Sequence, residues 1–211
     1  DARDRVRPGH QRRVEGRRHL GDDLEADEEV ALFFGYIREY KGLDLLLEAW
    51  AQLAVEFPHV HLVLVGPRKD LEQPGLKNFR NQLRKSVSTS GAPERVHFTG
   101  LCKNVEEYQR ASDIFVLPSE RAGMPNSVLE AMASRVAVIV TPFKGLSHDL
   151  GTPGTHFLLC DRNVTDLASA LRLLLKNPAN TWRIPILRDM FPNARFVYMY
   201  RELDQVFRST L

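Results

Sequence analysis

The apolar run Asp113-Ile114-Phe115-Val116-Leu117 stops at Pro118-Ser119, and Gly123-Met124-Pro125-Asn126 then leads into Val128, Leu129 and Met132 at helical spacing. A short apolar run closed by turn residues predicts a buried strand. Gly123 frees the backbone there, and Pro125 stands where a first helical residue belongs. A strand that feeds directly into a helix cannot pair with its sequence neighbour as a hairpin; it requires a crossover and a parallel sheet. The same geometry aims several unpaired backbone N–H groups at one spot, which attracts a phosphate. Glu130, inside the expected helix, is placed to accept hydrogen bonds from sugar hydroxyls.

The strand–helix unit recurs from Val30 onward. Strands are expected at 30–34, 60–65, 96–98, 114–117, 136–140 and 156–160. Helices are expected at 43–53, 76–87, 105–110, after Pro125, and at 164–175. The first helix carries Leu46, Leu47, Trp50 and Leu53 on one side. Alternation of this kind predicts an α/β domain, a Rossmann-like doubly wound parallel sheet with right-handed crossovers. Ligands of such sheets bind at the carboxyl ends of the strands. Gly35, Gly66, Gly100 and Gly123 all fall at those ends.

Several function classes are set aside by composition. A net charge of +2 over 211 residues makes no case for nucleic acid as the main partner. Cys102 and Cys160 are too few for a disulfide framework, and a reducing compartment is the default. His97, His148 and His156 show no metal-ligand spacing, so neither a metal nor another cofactor is expected. No apolar run approaches the ~20 residues that span a bilayer, and no signal-peptide pattern opens the chain. Residues 1–28 are rich in Arg and acids and poor in large apolar side chains; their interleaved acids favour a solvated tail or linker over a basic arm for lipid or nucleic acid.

Four ordered segments carry a family resemblance. Pro118-Ser119, Gly123-Met124-Pro125-Asn126 and Leu129-Glu130-Ala131-Met132-Ala133 together resemble the nucleotide-sugar signature of glycosyltransferase family 4 (group 1), whose members are retaining enzymes of the GT-B fold. The segment from Leu32 through Gly35, Lys41 and Gly42 to Asp44 resembles the glycine-and-lysine loop that opens the family's C-terminal domain. His61-Leu62-Val63-Leu64-Val65-Gly66 resembles its second strand. Val96-His97-Phe98-Thr99-Gly100, followed by Tyr108 and Ala111-Ser112-Asp113, resembles the strand near the base and the helix after it. The likeness covers 29–178, as the C-terminal, donor-binding half of a GT-B glycosyltransferase.

The resemblance implies a donor, a UDP- or GDP-sugar, and a set of residues that bind it. Lys41 would hold the diphosphate, aided by Arg38, with Gly35, Gly66 and Gly100 lining the edge. Gly123, Met124, Pro125 and Asn126 would form the phosphate-facing helix start, with Leu129 beside them. Glu130 matches the second carboxylate of the family's Glu-x7-Glu pair and would bind the ribose, and its apolar neighbours imply partial burial. Two departures stand out. Tyr36 replaces an arginine common after the loop glycine, and Ala122 replaces the first glutamate, which contacts the donor sugar. Arg135 stands where a glycine is common.

The segment 179–211 changes character and resembles a piece of a sulfotransferase. Arg201 and Ser209 match an Arg-x7-Ser spacing that holds the 3′-phosphate of a sulfate donor, but Glu202-Leu203 replace the expected Asn-Pro and the glycine-rich 5′-phosphate loop is missing. Three readings follow: the donor half of a retaining hexosyltransferase that needs an acceptor-binding domain or partner chain, a non-catalytic nucleotide-sugar-binding module or pseudoenzyme, and a truncated fusion with a sulfotransferase fragment. For the first, the family places the work on polysaccharides or other glycoconjugates in the cytoplasm, peripheral at the inner membrane face.

Overall fold

The computed structural model describes residues 28–67, 76–121, 125–146 and 150–176. The charged segment expected over 1–28 (all but Glu28), the C-terminal segment 179–211, and Ala122, Gly123, Met124 and His148 lie outside the described residues. Six parallel strands form one sheet: β1 (Glu29–Phe34), β2 (Val60–Val65), β3 (Val96–Gly100), β4 (Ile114–Leu117), β5 (Ala137–Val140) and β6 (Leu158–Leu159), in the order β3-β2-β1-β4-β5-β6. Five α-helices connect or cover them: α1 (Leu43–Leu53), α2 (Lys77–Ser88), α3 (Val105–Ala111), α4 (Asn126–Ala133) and α5 (Val164–Lys176). This strand order reverses between β1 and β4, and sheets of this kind bind their ligands at the carboxyl edge of such a reversal.

Chemistry of the strands explains their place. β2 and β4 are buried along their whole length, because a parallel strand carries helices on both faces and needs an unbroken apolar run. α1 turns Leu46, Leu47, Trp50 and Leu53 into the core, each essentially without solvent contact, and burial of side chains this large stabilises by about 1.5–3 kcal/mol apiece. α1 packs on α2 and α5, while α3 packs on α4 and β1, which gives the sheet its two helical layers.

Polar anchors fix the amino edge of the sheet, opposite that carboxyl edge. The Val30 N–H donates to Asp113 Oδ2 at 2.9 Å, and the Asp113 N–H donates to the Val30 carbonyl at 2.9 Å. Asp113, part of the motif after Tyr108, therefore registers β1 against β4. His61 and His97 stack with a 2.8 Å nitrogen–nitrogen contact, and His61 Nε2 lies 3.2 Å from Glu28.

Two expected elements are corrected. The strand expected over 156–160 is only Leu158–Leu159, because 152–156 closes a turn: the His156 N–H donates to the Thr152 carbonyl, and the Thr152 N–H donates to His156 Nδ1, both at 2.9 Å. α4 starts at Asn126, with Pro125 as its buried cap residue, one position later than the proline pattern predicts.

Candidate functional site

At the carboxyl edge the loop after β1 and the loop after β4 are built as one body. Glu39–Lys41 forms a single 3₁₀ turn, and Gly42 closes that turn at φ 69° while its carbonyl accepts the Leu46 N–H at 3.0 Å to start α1. A Cβ on Gly42 would stand 2.2 Å from the Pro118 carbonyl oxygen, so only glycine lets the two loops touch. Across the same seam the Glu120 N–H donates to the Tyr40 carbonyl at 2.8 Å, and the buried Ser119 hydroxyl lies 3.3 Å from it. Thr141 donates to the Ser119 carbonyl at 3.0 Å, and Arg162 Nε to the Pro118 carbonyl at 3.3 Å. Three other segments of chain thus converge on Pro118-Ser119.

Lys41 lies half-buried on this seam, and burial holds its ammonium below the ordinary lysine pKa. Among the described residues no carboxylate forms an ion pair with it. Its Nζ lies 5.6 Å from the centroid of the Tyr40 ring, and the Arg121 guanidinium lies 5.4 Å from the same centroid. Arg38 precedes the turn as its cap residue.

Gly35, Gly66 and Gly100 form a ledge along the carboxyl edge. The Gly35 N–H donates to the Val65 carbonyl and the Gly66 N–H to the Gly100 carbonyl, each at 3.0 Å. Those two amides extend the sheet ladder, so they contribute flatness rather than donors for a ligand. A Cβ on Gly66 would meet the Gly35 oxygen at 1.9 Å, whereas one on Gly100 would meet nothing within 4 Å. Beyond the ledge Tyr36 is 61% and Leu101 81% exposed.

Glu130 is exposed on α4, not partly buried as its neighbours suggested, and Leu129 beside it is 41% exposed while Val128 and Ala131 face the core. The carboxylate is nevertheless held: buried Gln109 on α3 donates from Nε2 to Glu130 Oε2 at 3.1 Å. Asn126 is exposed at the first position of α4, and the Val128 and Leu129 N–H groups both donate to the Pro125 carbonyl. Sequence reasoning missed Tyr40, Gln109, Arg121 and Arg162, whose roles depend on loops meeting across the sheet. No cluster of three or more His, Cys, Asp or Glu side chains able to hold a metal occurs among the described residues.

The carboxyl edge thus offers a strand-order reversal and a cationic loop bolted across it, with a carboxylate fixed on the following helix; ligands of such sheets bind at that edge. The profile of the family "Glycosyl transferases group 1" matches residues 28–177. The chain belongs to that family. A lipopolysaccharide core biosynthesis mannosyltransferase, LpsB from Rhizobium meliloti, is 30% identical over 143 residues, 68% of this chain and 39% of the relative. The C-terminal domain of the group 1 glycosyl transferase LpcC from Francisella tularensis superposes with TM-score 0.66 at 25% identity, covering 74% of this chain and 80% of that domain. Anabaena HepE, solved in complex with UDP-glucose, superposes with TM-score 0.66 at 20% identity over 94% of this chain and 53% of its own, a likeness of fold. The chain spans less than half the length of the curated relatives it matches. Its fold is the Rossmann-like domain of GT-B glycosyltransferases. Among the described residues no helix is long and apolar enough to cross a membrane.

Proposed function

We propose that this chain is the donor-binding half of a retaining glycosyltransferase, binding a UDP- or GDP-sugar at the carboxyl edge of the β1–β4 reversal and working with an acceptor-binding domain or partner chain. The observation that carries this reading is Lys41, half-buried without a carboxylate partner among the described residues, on a loop locked to the start of the signature segment. A desolvated cation in such a place is most stable beside an anion. Charge that builds on a diphosphate leaving group would be met by that ammonium and by N–H groups at the α4 entrance. Glu130 holds the ribose hydroxyls, with Gln109 fixing the orientation of its carboxylate. UDP-glucose bound to a fold neighbour and the mannosyltransferase relative support the donor class. In this proposal the acceptor is a polysaccharide or glycolipid met at the cytoplasmic face of a membrane; the lipopolysaccharide core biosynthesis role of the mannosyltransferase relative supports the acceptor class alone.

Residues 29–178 act as this unit in the proposal, with 1–28 as a linker and 179–211 as an appendage. Ala122 favours a second reading, a donor-binding module with weak turnover, because it removes a carboxylate that acts on the donor sugar mainly in the transition state. Calorimetric titration with UDP, GDP and adenosine 3′,5′-bisphosphate tests both. UDP or GDP should bind, and Glu130→Ala should weaken that binding about tenfold or more, as loss of a hydrogen bond to a charged group does. Binding of adenosine 3′,5′-bisphosphate alone would move the site to the C-terminal segment. With an acceptor domain supplied, Ala122→Glu should raise transfer.

A further inference from the structure

Tyr40 gathers two cations that come from opposite sides of the strand-order reversal. Lys41 follows it in the loop after β1, and Arg121 reaches it from the loop after β4, both between 5 and 6 Å from the ring centroid. The attraction of an aromatic ring for one exposed cation is small, and two cations drawn to one ring repel each other. Among the described residues neither has a carboxylate partner to offset that repulsion.

The backbone holds this arrangement in place. The Tyr40 carbonyl accepts the Glu120 N–H, the Ser119 hydroxyl lies against both the Tyr40 and Arg121 carbonyls, and Arg121 bridges to Lys144 on the chain after β5. An exposed arginine on a loosely tethered loop has no such support. Here the chain is fixed at Ser119 and Glu120, the residues immediately before Arg121, so the backbone that carries the guanidinium is held beside the Tyr40 turn. A guanidinium offers a planar fork of donors matched to phosphate oxygens, which an ammonium does not.

We infer that Arg121 is a second phosphate-binding cation of this site: it and Lys41, set on one aromatic ring, grip the diphosphate of a nucleoside diphosphate ligand from the two loops. The inference rests on the donor-binding reading above and extends it to a residue outside the motif positions. It also accounts for how the site functions with Tyr36 exposed at the position after Gly35. The cation is supplied from the loop after β4 instead of the loop after β1.

The test titrates the full chain with UDP and GDP, using uridine or guanosine for comparison, at several salt concentrations. Arg121→Gln should weaken the nucleoside diphosphate about tenfold or more, leave the nucleoside unchanged, and lower the dependence of affinity on salt. Arg121→Lys should restore part of the loss and part of the salt dependence. A Tm equal to wild type in both variants keeps the comparison to ligand contact. If wild type binds and Lys41→Ala weakens binding while Arg121→Gln binds like wild type, the inference is overturned and the donor-binding reading stands. Equal losses for nucleoside and nucleoside diphosphate in Arg121→Gln would make Arg121 a loop support and also overturn it. Wild type that binds neither UDP nor GDP would overturn both.

Discussion

Replacing Gly42 with alanine should damage the domain more than the same change at the other glycines of the carboxyl edge, and the structure sets the order. Gly100 sits at φ 78° with open space where a Cβ would go, so Gly100→Ala carries backbone strain alone. That strain, partly offset by a less flexible unfolded chain, is about 1 kcal/mol. Gly66→Ala carries contact alone: no left-handed φ, but a Cβ 1.9 Å from the Gly35 oxygen, which overpacking places at about 1–3 kcal/mol. Gly42→Ala carries both, φ 69° and a Cβ 2.2 Å from the Pro118 oxygen, for about 2–4 kcal/mol. Thermal unfolding followed by far-UV circular dichroism reads the series, at about 2–4 °C per kcal/mol for a chain of this size. Gly100→Ala should fall by about 2–4 °C and Gly42→Ala by about 4–16 °C. A Gly100→Ala loss as large as that of Gly42→Ala would refute the claim that the two loops touch at Pro118.

Lys41 sets a pH dependence. The unfolded chain holds this proton more tightly than the folded one, so stability should rise with pH from the lowered folded pKa up to the ordinary lysine value. A bound diphosphate raises the Lys41 pKa again, so nucleotide affinity should decline as pH climbs through that alkaline window. Lys41→Arg should flatten the decline, and calorimetry in two buffers of different ionisation enthalpy checks the proton uptake. Arg135 is the one non-glycine at positive φ among the described residues, closing α4 with the Arg135 and Val136 N–H groups donating to the Met132 and Ala131 carbonyls. That is the Schellman arrangement that glycine favours, so Arg135→Gly should stabilise by about 0.5–1 kcal/mol in chemical denaturation.

The alternation of apolar runs and amphipathic helices made the doubly wound sheet legible, because a parallel strand needs burial on both faces and shows it in one dimension. The largest boundary shift came where a local hydrogen bond competes with the ladder, as His156 does at the start of β6. The site was half legible. Lys41, Gly42 and the Pro118-Ser119 segment carry motif spacing, and the structure joins them. That the Gly35 and Gly66 amides complete the sheet ladder is a feature no spacing shows. Tyr40, Arg121 and Gln109 have no spacing signal: Tyr40 meets Ser119 across 79 positions of chain, and Gln109 meets Glu130 through the packing of α3 on α4. Glu130 misled for a related reason. Leu129 beside it points outward, so an apolar neighbour did not mean burial.

The most direct test of the central claim, that a nucleoside diphosphate binds at the carboxyl edge of the β1–β4 reversal, is backbone amide NMR of the isotope-labelled chain titrated with UDP and with GDP. The account predicts that one of them shifts amides of Tyr36–Leu43, Ser119–Arg121 and Asn126–Glu130, while Glu28–Val30 and Val60–His61 at the amino edge stay still. Shifts confined to the amino edge or to 179–211, or no shifts with either nucleotide in a folded protein, would contradict it.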